Sequence, residues 1–309
     1  MKCLFVGLGS ISTRHIKNLY FVCKERGINL DVDVLRRKID DLPDSLKTID
    51  LNQITYIEDD AFYDCAFITN PTNLHYHALL DLRKKAKYYF IEKPIFENCD
   101  YSLTAVELDS KNSYIACPMR HTKVYKELSK LIANKKVFSS RIICSSYLPD
   151  WRPAQDYRKN YSAIKALGGG VTIDLIHELD YMVDLFGFPE EVMNVHGKYS
   201  NLEIDSDDLS VYISVYKDKL VEVHLDYFGR KSKRSCEVFT EEGTFFADYI
   251  TSCISLPNGE IIDCTEDVNE RYVNEIRYFM DFVEGKSENI NDPEKALKIL
   301  SVTLGTYKE

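Results

Sequence analysis

The stretch Lys2-Cys3-Leu4-Phe5-Val6-Gly7-Leu8-Gly9-Ser10-Ile11-Ser12 decides the fold. A continuously apolar run ends in two glycines one residue apart, and a helix-compatible segment follows. An apolar run without alternation is the pattern of a strand buried on both faces, as in a parallel sheet. The first glycine permits a tight turn, and the second lets a pyrophosphate approach the backbone. The helix beginning near residue 11 offers unpaired amides and a positive dipole end to that phosphate, with Ser10 and Ile11 beside it. Ser12 takes the third position of G-x-G-x-x-G, where a small residue lets helix meet strand. The glycine loop is a weak signal alone, and its place on the first strand–helix turn strengthens it.

A second motif gives the loop its meaning. The apolar run 88–91 closes on Glu92-Lys93-Pro94. A lysine leaving a later buried strand brings a cation and a proton donor to the sheet edge where ligands of open α/β sheets bind. Proline ends the strand, because it donates no ladder hydrogen bond. A lysine snorkelling at a strand end explains the second motif by itself. Together the two point to a nicotinamide enzyme.

Working outward, 2–6, 30–35, 64–69, 88–92 and 114–117 read as buried strands, with amphipathic helices expected over 12–26, 73–86 and 98–111. That alternation implies right-handed crossovers and a parallel sheet. After about residue 120 the pattern changes. A helix (122–135), a strand (138–147), a polar aromatic stretch (148–162) and a long apolar helix (171–186) lead into strands near 191–199, 209–216, 219–227, 234–240 and 243–249. Tight links at Lys217-Asp218 and Glu242-Gly243 suggest antiparallel hairpins. Helices near 268–284 and 292–306 follow. The expected class is α/β: a dinucleotide-binding domain over 1–119, then an α+β domain over 120–309 built on an open, mainly antiparallel sheet.

Composition excludes other classes. The 309 residues carry a formal net charge of −10, which argues against nucleic acid or an anionic membrane as partner. Nine cysteines (3, 23, 65, 99, 117, 144, 236, 253, 264) include no CxxC pair, so buried free thiols in a reducing cytosol are expected, with no disulfide framework and no metal site. The N-terminus enters a strand with no signal-peptide profile, and no apolar stretch approaches bilayer length. A cytoplasmic location is the expectation.

Further residues bear on chemistry. The second strand ends in Leu35-Arg36-Arg37-Lys38, where an NAD site usually carries an acidic residue for the ribose. Guanidinium groups there suit a 2′-phosphate, so NADP is favoured over NAD, unless Arg36 and Arg37 are merely exposed turn residues. Asp31 and Asp33 lie inside the strand and are not expected to reach the ribose. The turn Thr69-Asn70-Pro71 passes beside the cofactor, and His75 either faces it or packs as a structural residue. The run Gly168-Gly169-Gly170 lets the chain approach a ligand before the next helix. On that helix Asp174, His177, Tyr181 and Asp184 share one face, a ridge that is costly to bury unless it lines a cavity or is fully paired. Next to a carboxylate, His177 acts as a general base or stays a bonded structural histidine. Trp151, Arg152, Gln155, Asp156, Tyr157, Arg158 and Tyr161 concentrate aromatic faces and charges suited to a sugar. Arg120 and His121 either line the same cleft or serve a domain interface.

These motifs, in this order, resemble the glucose–fructose oxidoreductase / inositol dehydrogenase (Gfo/Idh/MocA) family: the glycine loop at 7–12, NP-x-x-x-H at 70–75, EKP at 92–94 and GGG-x-x-x-D-x-x-H at 168–177. The resemblance spans nearly the whole chain. It implies an N-terminal Rossmann domain, a C-terminal domain whose open sheet mediates homodimers or homotetramers, and oxidation or reduction of a sugar or cyclitol carbon. Carried over, Lys93 lies near the nicotinamide and the reacting oxygen, His177 is the general acid/base, and Asp174 assists or orients substrate. Asp174 and His177 stand three apart where the family has four, which bears on the role of Asp174. Ser12 replaces the usual glycine, and Ala86 stands where a glycine often precedes the EKP strand. The Asp150–Ser162 loop is similar to members of bacterial surface-sugar pathways, including those of sialic-like acids.

The expectation is therefore an NAD(P)-dependent sugar dehydrogenase or ketoreductase. Two alternatives stay open: a non-redox lyase or hydrolase with a tightly held, cycling NAD, and a non-enzymatic NAD(P)-binding regulator.

Overall fold

The opening apolar run forms β1 (Lys2–Val6) in a computed structural model that describes residues 1–308. Five more strands follow in the first unit: β2 (Asp31–Leu35), β3 (Asn52–Ile54), β4 (Tyr63–Ile68), β5 (Ala86–Ile91) and β6 (Ser113–Ile115). They pair in parallel in the order β3-β2-β1-β4-β5-β6, with the chain reversing its direction of winding between β1 and β4. Helix α1 (Ser10–Glu25) buries Ile16, Leu19 and Val22 against the sheet. The short helix α2 is His75–Asp81.

The core explains why the sheet holds. Phe5, Phe67 and Phe90 stack across three neighbouring strands with centroids 4.4 and 5.1 Å apart. Phe279 meets the edges of this stack at 5.5 and 5.3 Å. Each fully buried ring contributes roughly 1.5–3 kcal/mol relative to an exposed one. Phe279 comes from the helix Glu270–Val283, so the first unit consists of Met1–Cys117 and Tyr272–Leu297. The sequence reading, with one boundary at 119, did not include this return. An amphipathic helix shows which residues it buries but not the sheet they are buried against.

The segment 98–111 is turns where a helix was expected. Its side chains bond the local backbone: Asn98 Oδ1 accepts from Asp100 N, Ser102 Oγ from Ala105 N, and Asp109 Oδ1 from Lys111 N and Asn112 N. Such bonds compete with the helical ladder.

The second unit holds Pro118–Arg271 and residues 298–308. It contains α3 (Lys123–Ile132), β7 (Val137–Tyr147), α4 (Val171–Asp174), α5 (His177–Phe186), β8 (Glu191–Gly197), β9 (Leu209–Val215), β10 (Leu220–Asp226), β11 (Phe228–Thr240), β12 (Gly243–Asp248), β13 (Cys253–Ser255) and β14 (Ile261–Asp263). The sheet order is β14-β13-β12-β11-β7-β10-β9-β8, antiparallel except for the pair β7–β10. Alternation along β9 and β10 buries Tyr212, Val221, Val223 and Leu225 on one face and leaves the other half-exposed. Among the described residues, no helix is long and apolar enough to cross a membrane.

Candidate functional site

The register of the parallel sheet aligns four strand ends. Leu35 pairs with Val6, Val6 with Ile68, and Ile68 with Ile91. Arg36, Gly7, Thr69 and Glu92 therefore leave the same edge side by side. Three inter-strand steps of about 4.8 Å make this row about 14 Å long, the scale of an extended dinucleotide. The row straddles the reversal between β1 and β4, where open α/β sheets take their ligands.

The backbone within the row fits a diphosphate. Gly7 has φ +88°, and a Cβ there would also meet Asn70 Cα at 3.3 Å. A side chain is thus disfavoured by strain and by crowding. Gly9 has open space where its Cβ would project. Helix α1 begins with no acidic residue in its first turn; the Gly9 N–H donates to Ser12 Oγ at 3.4 Å, and the amides that follow it remain suited to an anion. Ser12 Oγ donates to Thr69 Oγ1 at 2.7 Å, and Thr69 Oγ1 donates to Val6 O at 3.0 Å. The serine hydroxyl thus ties α1 to the end of β4 where a glycine would only make room.

Several expected ligand contacts are turned inward. His75 is 1% exposed and sits between two carbonyls, Ile95 O at 3.1 Å from Nδ1 and Asn70 O at 3.0 Å from Nε2. Burial lowers its pKa, against weaker raising by those carbonyls, so it packs as a neutral structural residue. Glu92 is buried with Oε1 on His15 Nε2 at 2.5 Å and Oε2 accepting from Lys93 N at 3.2 Å. Burial alone would raise its pKa, but the His15 bond and the charges of His15 and Lys93 outweigh it and hold the carboxyl low. Lys93 itself is half-buried. Arg36 Nη1 donates to Gln53 Oε1 at 2.6 Å and Asp40 O at 3.1 Å, so its guanidinium is held at the β2 end of the row. Arg37 is exposed, as is Pro71. Asp33 accepts from Asn52 and Tyr63 within the sheet, as its place inside the strand requires.

In the second unit the expected helix 171–186 is broken. Leu175 leaves helical geometry (φ −96°, ψ 28°), which separates α4 from α5. The four polar residues therefore do not form one continuous ridge. Tyr181 is fully buried, with no hydrogen-bond partner for its hydroxyl among the described residues, and packs near Tyr249 at 5.5 Å. Asp184 is engaged by Arg120 and by the Tyr125 hydroxyl. Asp174 and His177 stay half-buried. Asp174 Oδ2 accepts from Ser162 Oγ at 2.6 Å and from Tyr227 OH at 2.9 Å. The glycine run meets the chain itself: a Cβ on Gly169 would lie 2.1 Å from Tyr161 O, and one on Gly170 2.0 Å from Asp207 Oδ1. These glycines serve close packing of the loop.

Trp151 brings the aromatic loop to this place. Its ring meets Tyr227 edge-on at 5.3 Å, and Nε1 donates to Ser146 Oγ at 2.9 Å. Other loop residues bond one another. Arg158 forks onto Asp156 (2.8 and 3.1 Å) and reaches Glu203 (3.3 Å), Tyr157 OH accepts from Glu203 N, and Tyr161 OH donates to Gly168 O. Arg152 is exposed. Arg120 is buried in a double ion pair, with Asp180 at 2.6 Å and Asp184 at 2.8 Å, so its charge is neutralised within the fold. His121 is buried, and desolvation with the Lys126 and Arg120 charges drives its pKa down to about 3. Ser162 and Tyr227 escaped the sequence reading. The only signal for Tyr227 was general: a buried tyrosine hydroxyl needs an acceptor.

Comparison with known proteins bears on both units. Residues 1–118 match the family model described as "Oxidoreductase family, NAD-binding Rossmann fold", and residues 144–308 match "Oxidoreductase family, C-terminal alpha/beta domain". No curated protein sequence matches. Among solved structures, the WlbA dehydrogenase from Bordetella pertussis, in complex with NADH and UDP-GlcNAcA, superposes with a TM-score of 0.77 at 14% identity, over 99% of this chain and 94% of that one. A levoglucosan dehydrogenase in complex with NADH and levoglucosan gives 0.80 at 15%, over 99% and 96%. Myo-inositol 2-dehydrogenase from Lactobacillus plantarum gives 0.78 at 16%, over 99% and 96%. At these identities the likeness shows the fold.

Proposed function

Because this chain belongs to the Gfo/Idh/MocA oxidoreductase family, we propose that it is an NAD(P)-dependent dehydrogenase or ketoreductase acting on a carbon of a sugar or sugar derivative. The observation that carries this reading is the row of four strand ends, with Arg36 at one end and Glu92-Lys93 at the other. The bound nicotinamide supplies the hydride chemistry. Gly7, Gly9 and the first amides of α1 hold the diphosphate, with the backbone of the Thr69-Asn70-Pro71 turn alongside. Arg36 and Arg37 bind a 2′-phosphate, which favours NADP over NAD.

Lys93 leaves β5 at the nicotinamide end of the row and holds the reacting oxygen of the substrate by a charge-assisted hydrogen bond. His177 takes or returns the proton of the substrate hydroxyl. Asp174, oriented by Ser162 and Tyr227, positions the sugar. Trp151 offers an aromatic face to the sugar ring, and the exposed Arg152 suits an anionic group such as an acidic or nucleotide-linked sugar of surface-polysaccharide synthesis. The 1–119 and 120–309 segments divide cofactor from substrate binding in this reading, and the protein works in the cytoplasm. The half-exposed face of the second sheet carries a depression of about 500 Å³ where Ile143, Val211 and Ile213 lie among charged residues such as Arg141, Glu222 and Lys233, and a second copy packs on this face in a homodimer or homotetramer in this reading.

The test pairs two measurements. Fluorescence titration should show NADPH and NADH binding to wild type and to a Lys93→Met variant alike. Oxidation or reduction across a panel of free and nucleotide-linked acidic sugars should then proceed only with wild type. Turnover by Lys93→Met at the wild-type rate would remove Lys93 from the reaction.

A further inference from the structure

His15 lies in the second turn of α1, immediately beyond the glycine loop, and has no solvent exposure. Its ring stands edge-on to Phe90 at 5.0 Å and to Tyr272 at 6.1 Å. An imidazole in such aromatic surroundings is costly without a polar partner. The partner is Glu92 Oε1 at 2.5 Å from Nε2, while Nδ1 meets none among the described residues. Since the carboxylate only accepts, Nε2 carries the proton and donates.

The other oxygen of Glu92 accepts from the backbone N–H of Lys93. One carboxylate thus connects the helix that begins at the glycine loop with the backbone nitrogen of the lysine that the proposed function assigns to the substrate. Two residues on, Ile95 O lies 3.1 Å from Nδ1 of the buried His75. The Lys93 turn is therefore held by α1 through the Glu92 carboxylate.

Stability alone does not account for the pair. A buried ion pair is often no more stabilising than an apolar pair of the same volume, because desolvation offsets the attraction. What the polar pair adds is direction: it has one geometry, and it moves with α1. We propose that His15 is a positioning residue for Lys93, coupling occupation of the glycine loop by a dinucleotide to the placement of the lysine ammonium through the Glu92 carboxylate. The inference rests on the assignment of Lys93 to the nicotinamide end of the row. The depressed pKa of Glu92 agrees with it, since the carboxylate must stay ionised to hold both partners.

The test reads Lys93 directly and needs no sugar. Lysines are ¹³C-dimethylated, the Lys93 resonance is assigned with Lys93→Arg, and NADP⁺ or NAD⁺ is added to the full chain. In wild type the Lys93 resonance shifts on binding. In His15→Leu the dinucleotide still quenches protein fluorescence, but the Lys93 shift is lost. In His15→Gln, whose amide nitrogen can sit where Nε2 does, the shift returns. Glu92→Gln, which removes the charge and keeps the volume, should also lose it and decides the matter if His15→Leu does not fold. A full wild-type shift in His15→Leu or in Glu92→Gln overturns the coupling and leaves the Lys93 assignment standing. A wild-type Lys93 resonance unmoved by bound dinucleotide overturns both.

Discussion

Replacing Arg120 by Met separates a structural cation from a ligand-binding one. The guanidinium forks onto both oxygens of Asp180, Nε to Oδ2 at 2.8 Å and Nη2 to Oδ1 at 2.6 Å, and Nη1 reaches Asp184 at 2.8 Å. Its side chain is 1% exposed and that of Asp180 9%. Arg120→Met keeps most of the volume and strands the Asp180 carboxylate in the interior. Breaking one side of a buried pair costs about 3–5 kcal/mol. In a unit of this size each kcal/mol moves Tm by about 2–4 °C, so a fall of about 6–20 °C is expected by calorimetry. Arg120→Met/Asp180→Leu removes both charges and should recover most of the loss, because the penalty is the unpaired carboxylate. An unchanged Tm in Arg120→Met, or a double variant no more stable than the single one, would refute the structural reading. An unchanged Tm with a raised KM for sugar would return Arg120 to substrate binding.

Other outcomes follow from the same geometry. Gly170→Ala should destabilise in urea unfolding by more than the roughly 1–3 kcal/mol of the strained φ of +127° alone, since the new Cβ would also sit 2.0 Å from Asp207 Oδ1. Gly27→Ala, at φ +66° with open space, should lose only about 1–2 kcal/mol. Acid should weaken the fold early, because His121 is held neutral with its pKa lowered from 6.5 to about 3. The folded state binds this proton less readily than the unfolded chain, so the stability is complete above pH 6.5 and lost as pH falls towards 3. By pH 5 the loss is about 2 kcal/mol, and His121→Phe should flatten that slope. Arg36→Ala/Arg37→Ala should weaken NADPH binding about tenfold or more and leave NADH nearly untouched. Equal losses for both nucleotides would show that these arginines do not read the 2′-phosphate.

The legible parts of this protein were local. Val6-Gly7-Leu8-Gly9 and Glu92-Lys93-Pro94 announced a strand, a turn and a second strand end, because apolar runs, glycine and proline constrain the backbone whatever surrounds them. Less legible was any feature whose partner lies far along the chain. His75 and Arg120 carry groups that suit a ligand, and the structure sets them against Ile95, Asp180 and Asp184 instead. Nothing local marks His15, since its meaning depends on Glu92, 77 positions away.

By itself, then, the sequence determined the strand–helix alternation, the two kinds of sheet, the glycine turn and the residue types brought to each strand end. Tertiary structure alone decided that Tyr272–Leu297 rejoins the first sheet, that α4 and α5 are separate helices, and which charges face inward. The physical reason is the same in each case. Backbone preferences act over a few residues, whereas burial and the pairing of polar groups depend on which distant segment arrives opposite.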